Sequence, residues 1–164
     1  MNLKILLSGD GGQGIQLISD LLAQAAFANG LYISQIPNYG LEQRGGVSLS
    51  FLIISDKEVA YPKFTKPDIM LVMSEQALER TKQFEHLEVK KLEVKKFSEI
   101  FESNNILPSS YNIFFLGLLT KILAEKGILK KEEVYKLLEK KLSTKANWEE
   151  NTKAFELGNL QDNF

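Results

Sequence analysis

The residues with the clearest potential for chemistry form a glycine-dense turn near the start of the chain, Gly9-Asp10-Gly11-Gly12-Gln13-Gly14. An apolar run at residues 3–7 precedes this turn, and a long amphipathic stretch begins at Ile15. The predicted order is therefore strand, glycine loop and helix, an arrangement in which main-chain amides and a helix N-terminus can hold an anion. We take this loop as the first candidate site.

The spacing of Gly9, Gly11 and Gly14 satisfies the G-x-G-x-x-G pattern of dinucleotide-binding folds. Such sites add an acidic residue about twenty positions later, at the end of the second strand, to bind ribose hydroxyls. Here the second predicted strand, residues 31–36, ends without an acid, and the nearest later one is Glu42 in another glycine-rich loop. No Lys-Ser or Lys-Thr pair follows the glycines, which excludes the phosphate loop of nucleotide hydrolases. A purely conformational role, in which glycines let the strand turn tightly into a close-packed helix, stays open.

A second candidate loop occupies residues 37–46 between two strand-like runs. It combines an aromatic residue, an acid, an arginine and three glycines: Tyr39, Glu42, Arg44, Gly40, Gly45 and Gly46. The glycines permit positive backbone angles or close approach of another chain, and Arg44 can bind a carboxylate or phosphate through two parallel hydrogen bonds. The alternative is that Glu42 and Arg44 pair with each other and stiffen the loop.

Hydrophobic periodicity places both loops at one end of a sheet. The third strand begins only about ten residues after the second ends, too few for a crossover helix, so it is expected to run antiparallel to the second or lie at an edge. Residues 69–73 are continuously apolar, which predicts a strand buried on both faces, and Ser74 is a predicted N-cap.

The predicted strands are 3–8, 31–36, 47–55, 69–73 and 92–97, and the predicted helices are 13–29, 75–83, 98–102, 110–126 and 131–141. This pattern predicts an α/β fold, a three-layer α/β/α sandwich with a Rossmann-like, mostly parallel mixed sheet and ligands at the C-terminal ends of its strands.

Composition predicts one soluble domain over residues 1–164. The chain has 44% hydrophobic and 25% charged residues, a net charge of −1 and no cysteine, which excludes disulfides and thiolate metal clusters within it. No signal peptide is apparent, so we expect a cytoplasmic location. The longest apolar run, residues 113–120, is far shorter than the roughly 20 residues that cross a bilayer, and predicts a buried helix and no membrane role.

Charged residues are concentrated in the last third of the chain. Eight lysines and four glutamates between Lys121 and Lys145 alternate with aliphatic residues at helical spacing, which favours a solvated helix face over a nucleic-acid patch. The tail, residues 143–164, contains Trp148 and Phe155, which we expect to anchor it to the core or to a partner.

The sequence offers little for catalysis by this chain alone. Its one histidine, His86, lies in a charged segment away from both glycine loops and is predicted to be a surface residue. Ser8 precedes the first loop, but no histidine lies within sequence reach to activate it. No metal-ligating pattern is visible. We therefore predict no catalytic and no metal-binding residue, and a binding or assembly domain whose loops complete an active site on other chains.

Five sequence blocks, taken together, closely resemble the gamma subunit of 2-oxoacid:ferredoxin oxidoreductases. They are GGQGI at residues 11–15, the block of residues 37–46 with its YG-x-E-x-RGG order, Pro67-Asp68, Asn112 with Leu116-Gly117, and Asn151 with Ala154-Phe155 and Gly158. In one respect the chain departs from the family. The span 83–91 is short and charged where members usually have a glycine turn and an apolar strand, so we expect one strand to have been lost.

The resemblance implies a role in coenzyme A-dependent oxidative decarboxylation of a 2-oxoacid, with ferredoxin reduced. In such enzymes thiamine diphosphate lies between alpha and beta subunits, and [4Fe-4S] clusters carry the electrons. This chain would bind no cofactor alone and would assemble with alpha and beta subunits, a delta subunit being optional. The family's glycine loops face these components and the coenzyme A path, which makes the candidate binding residues Gly11, Gly12, Gln13, Gly14, Tyr39, Gly40, Glu42, Arg44, Gly45 and Gly46.

The second block resembles 2-oxoglutarate or branched-chain versions more than indolepyruvate ones, and we favour 2-oxoglutarate. Two alternatives stay open. One is a free-standing dinucleotide-binding protein that uses Gly9, Gly11 and Gly14, and the other is an assembly subunit with no part in turnover.

Overall fold

The computed structural model describes residues 1–39, 46–86 and 88–162. In these residues the chain forms a five-stranded sheet with the order β2-β3-β1-β4-β5. The strands are β1 (Asn2–Asp10), β2 (Tyr32–Tyr39), β3 (Val47–Ser55), β4 (Ile69–Val72) and β5 (Lys90–Glu93), and the helices are α1 (Ile15–Ala28), α2 (Glu75–Thr81), α3 (Ser98–Ser103), α4 (Tyr111–Glu125), α5 (Lys131–Leu142) and α6 (Trp148–Asn159).

The sheet is mixed, as predicted. Strand β1 pairs parallel with β4, and β4 with β5, whereas β3 runs antiparallel to both β1 and β2. Four strands therefore share one direction and only β3 opposes them. The short connection from β2 to β3 forces this hairpin-like pairing, since only an antiparallel neighbour can be reached without a crossover.

Side chains that alternate along the strands fill two separate cores. Ile5 and Leu7 of β1 belong to the larger core, which also contains the buried faces of α1 and α4. Leu6 of β1 points to the opposite face and packs in a smaller core with Phe64 and with Ala77 of α2. Helices thus cover both faces of the sheet, which confirms the three-layer α/β/α fold.

One predicted strand is wrong in its position. Residues 92–97 were expected to form the last strand, but β5 ends at Glu93 and Val94–Phe97 is a 3₁₀ turn. The apolar side chain of Phe97 packs in an aromatic cluster and not in the sheet. The centre of its ring lies 5.2 Å from that of Phe114 and 5.3 Å from that of Phe115. Similarly, α2 ends at Thr81 and a 3₁₀ turn follows it.

The region between α2 and β5 contains no strand in its described residues, 82–86 and 88–89. This agrees with the short, charged character of the span. That a strand has been lost relative to the family stays a prediction.

The tail forms a helix, α6, which sequence analysis had not assigned. Phe155 is completely buried and Trp148 packs near Tyr135 of α5, so both aromatic residues anchor the tail to the core. Within the described ranges, no helix alone is long and apolar enough to span a bilayer; Val94–Ser103 and Pro108–Glu125 satisfy that test only together and are bent by 119°.

A candidate binding site at the carboxyl ends of the strands

The first glycine loop connects the end of β1 to the start of α1. Two of its residues have left-handed backbone angles, with φ of 92° at Gly12 and 76° at Gly14, a conformation that strongly favours glycine. Gly12 is exposed, and an ideal Cβ placed on it would have no neighbour within 4 Å among the residues that the structure describes. A Cβ on Gly14 would instead lie 2.2 Å from Nδ2 of Asn112, the first-turn asparagine of α4. The loop is therefore open at Gly12 and tightly packed at Gly14.

The side chain of Gln13 folds back into this loop. Its Oε1 accepts a hydrogen bond from the amide of Asp10 at 2.7 Å, and its Nε2 donates to the carbonyl of Met73 at 3.4 Å. A Cβ on Gly9 would lie 2.7 Å from the same Oε1, so a larger residue there would require the Gln13 side chain to shift. Gln13 was predicted as a binding residue, and the structure places its side-chain amide in contacts that brace the loop.

The carboxylate of Asp10 ties the glycine loop to the next parallel strand. Its Oδ1 accepts a hydrogen bond from the hydroxyl of Ser74 at 2.6 Å, and the same hydroxyl accepts one from the amide of Ala77 at 3.0 Å as the N-cap of α2. Strands β1 and β4 are adjacent, and the helices that follow them lie on opposite faces of the sheet. Such a divergence opens a crevice at the strand ends, where α/β folds bind ligands. Ser74 was predicted only as a cap, because nothing in the sequence signals its contact with Asp10.

A cleft of about 280 Å³ lies at the carboxyl ends of β4 and β5. Its lining includes Met73, Ser74, Glu93, Lys95 and Ser98. Burial alone would raise the pKa of Glu93, but the hydrogen bond from Lys95 and the charges of the neighbouring lysines outweigh it, and the pKa lies below the ordinary value. Glu93 is therefore held as a carboxylate.

The second loop meets the first through the main chain. The amide of Gly11 donates to the carbonyl of Gly46 at 2.9 Å, which continues the pairing of Asp10 with Val47 one step past the ends of β1 and β3. Tyr39 is the last residue of β2, and its side chain is exposed. The predicted site residues Gly40, Glu42, Arg44 and Gly45 lie outside the described residues. Of the ten candidates, the structure thus describes the four in the first loop together with Tyr39 and Gly46, and joins the loops at Gly11 and Gly46.

The dinucleotide interpretation finds no support in this arrangement. In dinucleotide-binding folds the acidic anchor is on the strand that follows the first crossover, beside the glycine loop. Here β2 is separated from β1 by β3, and none of its residues, Tyr32–Tyr39, is acidic.

His86, predicted as a surface residue, is partly exposed, and its Nε2 lies 2.8 Å from the carbonyl of Pro67. Asp68 follows Pro67 at the opposite end of the sheet, where its carboxylate accepts a hydrogen bond from the amide of Lys4 at 2.8 Å. This pair therefore supports the start of β4 and lies away from the loops. In the described residues no group of three His, Cys, Asp or Glu side chains is arranged to hold a metal ion.

Residues 4–93 match the family described as pyruvate ferredoxin/flavodoxin oxidoreductase. The chain is 33% identical to a Methanocaldococcus jannaschii protein named 2-oxoglutarate synthase subunit KorC, over 96% of this chain and 92% of that protein. It is 47% identical to the protein of the same name from Methanothermobacter marburgensis, but that match covers 48% of this chain and only 42% of the relative.

Two solved structures share the fold. The gamma subunit of a keto/oxoacid ferredoxin oxidoreductase from Geobacter sulfurreducens superposes with a TM-score of 0.67 and 26% identity over 95% of each chain. A 2-oxoglutarate:ferredoxin oxidoreductase from Magnetococcus marinus, solved with 2-oxoglutarate, coenzyme A and succinyl-CoA bound, gives a TM-score of 0.79 at 20% identity, covering 96% of this chain and 30% of that one.

By its fold and by these matches, the chain is an α/β domain of the oxidoreductase type. It belongs to the pyruvate ferredoxin/flavodoxin oxidoreductase family, and its resemblance to the gamma subunits of that family, predicted from the five sequence blocks, is confirmed.

Proposed function

We propose that this chain is the gamma component of a 2-oxoacid:ferredoxin oxidoreductase, with 2-oxoglutarate as the favoured substrate. The complex would convert the 2-oxoacid and coenzyme A to an acyl thioester and carbon dioxide, and ferredoxin would take up the electrons. The observation that carries this proposal is the junction of the two glycine loops, where Gly11 bonds to Gly46 beside the open surface at Gly12. The names of the relatives, 2-oxoglutarate synthase subunits, support the choice of substrate.

In this role the chain contributes a binding surface. The amide of Gly12 and the guanidinium of Arg44 would supply positive potential to an anion, either coenzyme A or a carboxylate of a partner subunit. The neighbouring amides of Gly11 and Gln13 donate within the chain, to the carbonyls of Gly46 and Asp10. Thiamine diphosphate and iron–sulfur clusters would be held by the alpha and beta subunits, and by a delta subunit where one is present, since these 164 residues contain no cysteine. The proposal includes a single domain over residues 1–164 and a cytoplasmic location.

The first test is purification of the tagged chain from its source under mild conditions. We expect companion subunits, iron and thiamine diphosphate in the eluate, and coenzyme A-dependent oxidation with a higher kcat/KM for 2-oxoglutarate than for pyruvate or 2-oxoisovalerate. Isolation of a lone, colourless protein without this activity would contradict the proposal.

Substitution of Arg44 separates a binding role from assembly alone. In the assembled complex we expect Arg44→Ala to raise the KM for coenzyme A or the 2-oxoacid at least several-fold, because a charge-assisted contact is removed. Arg80→Ala is the matched control, since Arg80 is exposed on α2. Unchanged assembly and unchanged kinetics in Arg44→Ala would support the alternative of a subunit that only assembles.

The dinucleotide alternative has its own measurement. Titration of the isolated chain with NAD or NADP in a calorimeter is expected to give no binding heat at sub-millimolar concentration. A saturable signal that Gly12→Ala weakens would revive that alternative.

A further inference from the structure

A second cleft lies at the end of the sheet opposite the glycine loops. It has a volume of about 830 Å³, and its floor includes Phe51 and Ile53 of β3 and Lys4 near the start of β1. Lys4 is paired with Ile53 in the β1–β3 register, so the two side chains share one face of the sheet, the face of the smaller core. Lys4 lies six residues before Asp10 along β1, about 20 Å from the first loop. The cleft is therefore separate from the candidate site described above.

The cleft exists because helix α2 is too short to cover this face of the sheet. With seven residues α2 is about 10 Å long, whereas β3 with nine residues is about 30 Å long. The remaining cover comes from residues 58–66, which form neither helix nor strand, and from Phe84 in the 3₁₀ turn after α2. Three separate parts of the chain thus enclose one concave space. Its volume falls in the range of about 300–1,000 Å³ that is usual for small-molecule sites.

Aromatic rings form the apolar part of the lining. The rings of Phe64 and Phe84 both pack edge-on against Phe51, with centroid separations of 5.2 Å and 5.6 Å. Phe51 and Phe64 are buried and Phe84 is half-buried, while Tyr61 in the covering segment is 77% exposed. Aromatic side chains bury a large apolar area and favour edge-on or offset contacts with another ring. The lining therefore suits a ligand with a planar apolar body.

The charged part of the lining is mainly positive. Three lysines line the cleft, Lys4, Lys63 and Lys66. None of them has a carboxylate partner among the described residues. Nearby carboxylates are engaged elsewhere, since Asp56 pairs with the N-terminal amine and Asp68 accepts a hydrogen bond from the amide of Lys4. Glu58 is the one acid in the lining, so positive charges exceed negative ones by two. Lys4 is half-buried, where a charge attracts an anion more strongly than in bulk water.

We propose that this cleft binds a small aromatic anion, a molecule with a planar apolar ring and a carboxylate or phosphate group. The ring would pack among the phenylalanines and the anionic group would lie between the lysines. A peptide strand is disfavoured because the floor strand β3 is already paired with β1 and β2 along both edges and offers no free main-chain groups. A second copy in a two-fold arrangement is disfavoured because it would bring the same lysines face to face. The inference does not rest on the proposed function.

Fluorescence titration of the full chain with anilinonaphthalene sulfonate tests the site, because this dye joins aromatic rings to an anionic group. Phenylnaphthylamine, the same ring system without the sulfonate, is the neutral comparison. We expect Lys63→Gln/Lys66→Gln to weaken binding of the sulfonate about five- to tenfold, because two charge contacts are lost, and to leave binding of the neutral probe unchanged. Glu58→Gln should strengthen binding of the sulfonate about twofold, since the one opposing charge is removed.

The matched control removes the same charge from the other side of the molecule. Lys140 and Lys145 are exposed on and just after α5, which packs on the larger core, so Lys140→Gln/Lys145→Gln should bind both probes as the wild type does. Circular dichroism should show all variants folded. An equal loss of sulfonate binding in the two double variants, or no loss in either, would overturn the proposal.

Competition identifies the anionic group. We expect naphthoate or naphthyl phosphate to displace the dye at concentrations at which uncharged naphthylmethanol does not, and the tighter competitor shows whether the site suits a carboxylate or a phosphate. Displacement by neither anion would contradict the assignment. Loss of the dye site when companion subunits assemble with the chain would also overturn it, because the cleft would then be part of a subunit interface.

Discussion

Gly117 of α4 and Gly158 of α6 bring the backbones of the two helices into direct contact. An ideal Cβ on Gly117 would lie 2.1 Å from the carbonyl oxygen of Phe155, and one on Gly158 would lie 2.0 Å from that of Phe114. The side-chain amide of Asn159 also donates to the carbonyl of Gly117 at 3.2 Å. The glycines of two of the five sequence blocks therefore form a helix crossing that stabilises the fold, whereas Asn112 of the same block as Gly117 packs against Gly14 of the first loop.

Gly117→Ala is expected to destabilise the protein by about 2–3 kcal/mol, because the added methyl group meets backbone that cannot rotate away. This loss would appear despite the higher helix propensity of alanine, which alone would favour the variant by about 1 kcal/mol. Urea denaturation followed by circular dichroism measures the difference. Glu125→Ala on the exposed end of α4 is the control and should change the free energy of unfolding little. Equal stability of Gly117→Ala and wild type would mean that the helices are farther apart than described.

The two left-handed glycines of the first loop should differ in their response to alanine. Gly12→Ala introduces backbone strain alone, so we expect a loss of about 1 kcal/mol. Gly14→Ala adds a collision with Asn112 and should cost clearly more. Removing that side chain in the double variant Gly14→Ala/Asn112→Ala should recover part of the difference, a coupling that a double-mutant cycle measures. Strict additivity of the two substitutions would contradict the described contact.

Ser74 combines two contacts, and two substitutions separate them. Ser74→Ala loses both the cap of α2 and the bond to Asp10, and should destabilise the protein by about 1–2 kcal/mol. Ser74→Asp restores a cap acceptor but places a second carboxylate beside Asp10, so it should not restore wild-type stability. The exposed Ser103, changed to alanine, is the control. Full recovery in Ser74→Asp would show that the link between β1 and β4 contributes nothing to stability.

The fold could be predicted largely from local signals. The apolar runs of β1, β3 and β4 and the short connection before β3 determine a mixed sheet, and Gly30, with φ of 78°, ends α1 as expected. The last strand was misplaced because Val94 and Phe97 carry the apolar pattern of a strand while packing from a 3₁₀ turn. Helix α6 was not assigned although its buried residues Asn151, Ala154, Phe155 and Gly158 have helical spacing, because asparagine and glycine are not hydrophobic and their burial depends on the contact with α4.

Of the candidate site, only the main-chain conformation of the glycine turn could be predicted from the sequence. Glycine spacing located the turn with positive φ at Gly12 and Gly14. The inward orientation of the Gln13 side chain and the bond between Asp10 and Ser74 depend on strands that are distant in sequence, so residue types alone could not predict them.

We expect the stability of the protein to depend on pH through Glu93. The carboxylate lies 3.2 Å from Lys95 and 3.5 Å from both Lys91 and Lys96, and Lys91 also pairs with Glu85. Burial opposes ionisation of Glu93, but the lysines prevail and its pKa in the folded state lies below the ordinary 4.5. The stabilisation is therefore present above pH 4.5 and is lost as the pH falls through the lower pKa of the folded state.

We expect Glu93→Gln to lower the melting temperature at pH 7 by a few degrees, because three lysines lose their shared carboxylate. The difference from wild type should begin to shrink as the pH falls below 4.5 and should disappear below the lower pKa of Glu93 in the folded state, where wild-type Glu93 is also neutral. Thermal melts from pH 7 to pH 3 measure this convergence, with Glu99→Gln on the exposed face of α3 as the control. A difference between Glu93→Gln and wild type that persists unchanged at the lowest pH would assign the effect to packing, since a charge contribution must disappear when the carboxyl group is protonated.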